Sequence, residues 1–441
     1  MANTQLTRTL SGNGNGQIFT LSCWLKRSKI NDYGQIFSTG TGTADGFNFG
    51  FENSNQLLFE SWDGSTNPKI KTNRLFRDVS AFYHLVLAVD TTQGTASNRV
   101  KIYVNGVQET SFAEAINIPS QNYNFPGTNQ SSDIARVGYT TLAGSWTYFD
   151  GSMSHVHWID GTAYDATAFG EYDANGVWKI KTSPSVTYGT NGFFILKDGN
   201  SVTDQSGEGN NLTVGGGTLT NTEDSPSNVF ATWNPLDNFY ASATFGSGNT
   251  GLDSGGSGIE TYNTSTLGMS SGKYYMELKH NGGSATPFRQ LIGITQNPTD
   301  SASQYLGGSN NDSWGYYDNT GNVVHNASTV VSYSTWTQND IIGVAVDLDN
   351  SKLFFAKNGT WQNSSNPANG TNGISIDSGF TYYFAWGDLT THSNYCNANF
   401  GNGYFGTTAV SSAGTNASGI GIFEHDVPTG FTSLSTKGLN L

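Results

Sequence analysis

Along this chain, apolar and polar residues alternate over short runs far more often than they recur at helical spacing. The runs "IFTLSCWLKR" (Ile18 to Arg27), "GQIFSTG", "FNFGF" and "QLLFESW" are divided by Gly- and Asn-rich turns at the spacing of a β-sandwich. In "FYHLVLAVD", Leu85, Leu87 and Val89 share one side while Val86 and Ala88 share the other, so both faces are apolar. That pattern predicts a central strand covered on both sides. Its neighbour "RVKIYVNG" alternates cleanly, with Val100, Ile102 and Val104 inward and Arg99, Lys101 and Tyr103 outward. Asn105-Gly106 then supplies the positive φ angles of a two-residue hairpin turn.

The same phrase is written twice. "HLVLAVD" precedes "NRVKIYVNG" in the first half, and "IIGVAVD" precedes "DNSKLFFAKNGTW" (Asp349 to Trp361) in the second. One such hairpin is expected in each of two independent antiparallel sandwiches, and convergent turn chemistry accounts for the match as well as duplication does. The second strand series comprises "NFYASATFG", "KYYMELKH", "LIGITQ", "SWGYYD", "IIGVAVDLD", "KLFFAKNG", "YYFAWG" and "NANFG", with a C-terminal return to the core through Phe431, Leu434 and Leu439. Between the halves, from Lys197 to Pro226, periodicity fades into Gly, Asn and Thr. The expected fold class is all-β, as two tandem antiparallel β-sandwich (jelly-roll) domains: residues 1–205, a linker at 206–228, and residues 229–441. One short helix is expected, from about Asp165 to Tyr172.

Composition agrees with strands and turns. Charged residues make up 12% of the 441, against roughly 25% in ordinary soluble domains, and Gly numbers 55. The 10 Trp, 21 Tyr and 26 Phe offer ample surface to bury, which argues against disorder. A net charge of -14 with no basic cluster excludes nucleic acid as an expected partner. The opening "MANTQLTRTLSGNG" lacks an apolar signal core, and no run of 18 apolar residues exists, so neither secretion nor membrane insertion is expected. Cys23 and Cys396 fall in different expected domains and read as small buried residues rather than a disulfide.

Two families are approached by these motifs. "FTLSCWLKR", "HLVLAVD", "RVKIYVNG" and "FDGSMSHVHWIDG" resemble the laminin-G-like, concanavalin-A-like jelly roll, and "GKYYMELK", "LIGIT", "SWGYYD", "IIGVAVDLDNSKLFFAKNGTW" and "YYFAWG" resemble a SPRY domain. Taken with "DGTAYDATAFGEYDANGVW", "YGTNGFFIL", "DQSGEGNNLTV", "DSPSNVFATWNPLD" and "VPTGFTSLSTKGLN", nearly the whole chain resembles virion structural proteins of tailed, notably marine, bacteriophages. The resemblance implies a place on the particle surface, as tail fibre, adhesin or capsid appendage, after assembly in the bacterial cytoplasm. It implies other virion proteins, host-surface polysaccharide and further copies of the chain as partners.

Laminarinase-like enzymes of the jelly-roll architecture present Glu-x-Asp-x-x-Glu on one strand, and no such run exists here. Glu171 with Asp173, and Glu424 to Asp426, are the nearest approaches, so a non-enzyme is expected, with a ligand-free decoration protein and a polysaccharide depolymerase as alternatives. His155 and His157 are expected on one strand face without a third ligand, and His392 with Cys396 is a weaker pair. No cofactor is required; calcium is the metal that loop carboxylates suit, at Asp45, Asp90, Asp150 and Asp160. For glycans, aromatic faces that stack on a pyranose are expected among Tyr33, Trp62, Trp146, Tyr148 and Tyr305.

Overall fold

The computed structural model describes residues 3–441 apart from 44, 65–66, 143–146, 198, 200, 237–242, 257–259, 299–303, 310 and 390–392. The chain divides into two units, Met1–Asn221 and Thr222–Leu441. Both are built of antiparallel strands, as the alternation predicts.

In the first unit an eight-stranded sheet runs Phe112–Ile116, Lys69–Leu75, Gln56–Trp62, Gly46–Phe51, Gly34–Ser38, Ile134–Val137, Gln5–Thr9 and Thr213–Gly216. A six-stranded sheet runs Phe193–Ile195, Gly151–Asp160, Ile18–Arg27, Tyr83–Asp90, Val100–Val104 and Val107–Gln108. Their facing sides interlock through aromatic rings. Phe19 stacks on Phe47 at 5.3 Å and Phe37 on Trp158 at 4.8 Å, and the buried Trp158 indole donates to Asn129 Oδ1 at 3.0 Å.

The six-stranded sheet is buried on both faces. Leu85, Leu87 and Val89 join the main core, while Val86 packs outward beneath Ile159, Phe169, Tyr188 and Phe194. The short helix expected at Asp165–Tyr172 is instead one 3₁₀ turn, Ala166–Ala168, capped by Asp165, followed by a hairpin of Gly170–Tyr172 with Trp178–Ile180. Tertiary packing overrides the local preference here. A Cβ at Gly170 would lie 2.5 Å from the Trp178 ring, and that indole donates to His84 Nδ1 at 3.0 Å. An indole N–H can only donate, so Nδ1 accepts and Nε2–H donates to Ser22 Oγ at 2.9 Å.

His155 and His157 do not alternate as a plain strand would place them. A bulge between Ser154 and His157 leaves His155 at φ 49°, and both rings pack on Phe194. His157 Nδ1 lies 2.9 Å from the Tyr188 hydroxyl, a structural pairing.

The stretch expected to be a linker, 206–228, mostly completes the first unit. Thr213–Gly216 pairs with Gln5–Thr9 as the last strand of the eight, and Asp204 fixes the turn before it by accepting from the Ser206 and Asn210 amides. Turn residues that hydrogen-bond their own backbone explain why hydrophobic periodicity missed this strand.

The second unit repeats the layout. Its larger sheet follows Thr244–Gly246, Gly251–Asp253, Asn394–Asn399, Lys273–Gly283, Ile341–Asp347, Lys352–Lys357 and Thr360–Trp361, with Ile374–Ser375 added at the side and Thr432–Ser433 joining in parallel. The other sheet follows Thr261–Thr264, Tyr383–Asp388, Gln290–Thr295, Ser313–Tyr317, Asn322–His325 and Ser328–Ser332. Most of the expected "NFYASATFG" strand lies outside the described residues. Trp233, Trp314, Tyr316, Phe355, Tyr382 and Trp386 fill the core. Outside the larger sheet, Tyr275 and Phe354 are covered by Phe423, Val427 and Phe431 of the C-terminal segment. Buried Glu277 ties that segment down by accepting from the Glu424 amide at 2.9 Å and the His425 amide at 2.8 Å. Burial pushes its carboxyl up to about 7 against those donors. Cys23 and Cys396 are both buried free thiols.

The two repeated hairpins use one set of bonds. Asn105 and Gly106 sit at φ 48° and 83°, Asn358 and Gly359 at 48° and 77°. In each, the Asn amide donates to a carbonyl across the turn and its Oδ1 accepts the partner's amide. His84 and Ile341 are those partners, and each of the four bonds measures 2.8 or 2.9 Å. A later ring roofs each turn, so that a Cβ at Gly106 would lie 2.5 Å from Trp178 and one at Gly359 3.0 Å from His425. Asn105→Ala and Asn358→Ala should each destabilise their own unit by about 1–2 kcal/mol, through the lost bond and the strained φ. Gly106→Ala should cost more than Asn105→Ala, because the indole must move as well; urea unfolding of the variants measures the order.

Burial holds the His84 imidazole down at about 3, so it stays neutral in the fold and protonates near 6.5 only when unfolded. Its contribution is therefore complete above pH 6.5 and is lost as pH falls towards 3. The stability advantage of wild type over His84→Gln should shrink across that window by up to about 1.4 kcal/mol per pH unit, read from unfolding curves at pH 7, 6, 5 and 4. A constant difference across those four values would show that His84 does not titrate in this way.

Candidate functional site

One face of the first unit is left polar. Along the outward side of the eight-stranded sheet lie Gln35, Asn48, Leu58, Glu60, Lys69, Lys71 and Glu114, set by the register Gln35 with Gly50, Asn48 with Glu60, Glu60 with Lys69, and Lys71 with Glu114. Over part of it arches a ribbon in which Tyr139–Thr140 pairs with Thr147–Tyr148. The ribbon is fastened by the Ser38 hydroxyl donating to the Tyr139 carbonyl at 2.9 Å and the Thr141 hydroxyl donating to the Gly42 carbonyl at 2.9 Å.

Sheet and ribbon together enclose a pocket of about 230 Å³, lined by Tyr33, Gln35, Asn48, Glu52, Leu58, Glu60, Trp62, Thr140, Leu142 and Thr147. Tyr33 precedes the strand whose Gly34 faces Phe51, and Trp62 faces Gly46, so the two rings bracket the pocket at opposite ends along the strands. Tyr33 is 48% exposed and stands at the rim. Gln35 reaches the pocket because of a bulge: it faces Gly50 while Phe37 faces Phe49, so two residues on one strand match one on the next. Gly50 makes the room, since a Cβ there would lie 2.5 Å from Gln35 Oε1.

The polar lining is under-satisfied. Gln35 is 5% exposed and Asn48 is 7%, yet Gln35 Oε1, Asn48 Oδ1 and Thr147 Oγ1 have no hydrogen-bond partner among the described residues. Buried polar atoms are normally paired, and leaving one unpaired costs about 1–3 kcal/mol. A concave site with aromatic walls and convergent unpaired oxygens offers a polar molecule stacking faces and hydrogen-bond partners.

Charge is arranged around it. Glu52 sits 3.9 Å from Lys69 and 3.4 Å from Lys71, Lys69 sits 3.3 Å from Glu114, and Lys71 is also paired with Glu114. Burial pushes the Glu60 carboxyl up from its ordinary value, with Lys69 and a hydrogen bond from Trp62 working against it.

Of the residues the sequence put forward for glycans, Tyr33 and Trp62 line this pocket. Tyr148 stacks on Tyr139 at 4.6 Å beside Thr147, Trp146 lies outside the described residues, and Tyr305 is in the second unit, half-buried against Leu291 and Leu306. The four aspartates do not converge. Asp150 and Asp160 flank opposite ends of Gly151–Asp160, about 30 Å apart at 3.3 Å per residue. Asp45 accepts from Thr41, Asp90 from Thr92 and Gln93, and Asp160 from the amides of Asn15 and Asn191. Burial raises the Asp150 carboxyl. Among the described residues no group of three His, Cys, Asp or Glu side chains could hold a metal ion; His392 lies outside them. Sequence reasoning missed Gln35, Asn48, Glu52 and Glu60. Asn48 and Glu60 carry a signal, as the lone polar residue of "FNFGF" and the lone charged residue of "QLLFESW", whereas Gln35 needs the bulge.

Residues 3–166 match the family profile of the concanavalin A-like lectin/glucanases superfamily, and residues 273–370 match that of the SPRY domain. No curated protein matches the chain. Among solved structures, the SPRY domain of human HERC1 is 18% identical with a TM-score of 0.31, over 38% of this chain and 96% of that one. Stonustoxin is 18% identical with a TM-score of 0.29, over 38% of this chain and 27% of its own. A heptameric SAP-like pentraxin from Limulus polyphemus is 16% identical with a TM-score of 0.27, over 37% and 72%. The chain thus joins a concanavalin A-like, laminin-G-like domain to a SPRY domain.

Proposed function

We propose that this chain is a recognition protein of a virus particle, and that the pocket between the eight-stranded sheet and the ribbon of Tyr139–Thr140 with Thr147–Tyr148 binds a carbohydrate of the host surface. The observation that carries the reading is the gathering of three unpaired, buried side-chain oxygens between the rings of Tyr33 and Trp62. A pyranose supplies what both features lack: an apolar ring face to stack and hydroxyls to pair. The resemblance to phage virion proteins supplies the setting, where many copies would turn a weak site into firm attachment.

Binding without turnover rests on the sequence, which carries no Glu-x-Asp-x-x-Glu run of the kind that jelly-roll glycanases present on one strand. The second domain is assigned to contacts with neighbouring virion proteins, through loops held on a rigid sandwich.

Wild type should be retained on a glycan array of bacterial envelope saccharides, with no release of reducing sugar from the same saccharides. Trp62→Ala and Gln35→Ala should each weaken that retention about tenfold or more while leaving the unfolding midpoint near wild type. Full retention by the correctly folded Trp62→Ala protein would overturn the assignment of the pocket.

A further inference from the structure

The pocket's side chains also limit what charge its ligand can carry. Among the described residues its lining includes two carboxylates, Glu52 and Glu60, and no Lys, Arg or His. The ammonium groups nearest to it are already engaged: Lys69 and Lys71 both face Glu52 and Glu114. Counted together, these neighbours present three carboxylates to two ammonium groups.

The two amides do not alter this. Gln35 and Asn48 can each turn to offer either an N–H donor or a carbonyl acceptor. A carboxylate has no such choice. Ionised Glu60 only accepts, so a group placed against it must bring a hydrogen-bond donor. A second carboxylate brought into the same half-buried space would face like charge where water screens poorly.

We propose, building on the glycan reading above, that the pocket takes neutral or amino-bearing pyranoses and turns away uronic acids and other carboxylated sugars, with Glu60 as the discriminating residue. Hydroxyl or ammonium donors of the sugar pair with Glu60, its remaining hydroxyls meet Gln35, Asn48 and Thr147, and its apolar face lies on Trp62. Glu52 contributes less to the choice because its charge is matched by the two lysines. Selection here is by repulsion of the wrong ligand as much as by attraction of the right one.

The test uses the full chain and matched multivalent conjugates of glucose, galactose and mannose, of their uronates, and of glucosamine and galactosamine. EDTA is present throughout, so that no cation can bridge two carboxylates. Wild type should retain at least one neutral sugar, or its amino form, at least about tenfold more strongly than the uronate of the same ring. Glu60→Gln, which keeps the shape and removes the charge, should narrow that ratio to below about threefold. Gln35→Glu, which adds a charge, should widen it. Equal or stronger retention of the uronate by wild type, or an unchanged ratio in Glu60→Gln, would overturn the selectivity while leaving glycan binding standing. Retention of no conjugate at all would remove the glycan reading together with it.

Discussion

A sheet has two faces, and each must be either buried or watered; the arrangement of this protein follows from how that requirement is met four times. The six-stranded sheet of the first unit is buried on both sides, between the aromatic core and the Phe169, Tyr188 and Phe194 layer. In the second unit the larger sheet is roofed by Phe423, Val427 and Phe431, and the smaller one carries its own outer cluster of Tyr262, Leu291, Leu306 and Ala385. The eight-stranded sheet alone, among these four, keeps a polar outward row with a ribbon laid over part of it. The pocket is where that partial cover meets that row.

Charge is spent in the same place. In a chain whose acidic and basic side chains amount to 12%, Glu52, Glu60, Lys69, Lys71 and Glu114 stand side by side on one sheet face. Elsewhere the loops hold themselves with Asn, Asp, Ser and Thr side chains bonded to nearby backbone, a way of ordering long connections that needs no ion pairs. Asp160 illustrates it: a buried carboxylate spent wholly on the amides of Asn15 and Asn191. Such aspartates look like metal ligands in a sequence because turn chemistry and calcium chemistry draw on the same oxygen atoms.

What the sequence disclosed depended on the range over which each signal acts. Alternation is local, and it located Ile18–Arg27 and both Asn-Gly hairpins to the residue and Tyr83–Asp90 to within one. Two-sided burial of Val86 and Leu87 was visible for the same reason. The Asp165–Tyr172 helix failed because its alternative, the Trp178 hairpin, is stabilised by His84, which lies far off in the chain. Thr213–Gly216 was hidden because an edge strand with only Val214 as its apolar member has no period to read. At the candidate site, Tyr33 and Trp62 were visible as aromatics among polar neighbours, with Trp62 ending the strand Gln56–Trp62 rather than lying in a loop. Gln35 was not, since it takes a one-residue bulge to turn it from the core side to the pocket side.

Each unit is fastened at its own ends. Thr7 meets Thr213 across 206 residues of sequence, and the Val229 amide meets Thr436 across 207. On a ribosome delivering the chain from its N-terminus, the opening segment of either unit therefore waits for its last partner until almost the whole of that unit has emerged, although one edge of Gln5–Thr9 can pair earlier with Ile134–Val137. Closure comes last for each body, and in the first unit a nascent chain halted before it would leave one edge of Gln5–Thr9 open to association with its neighbours.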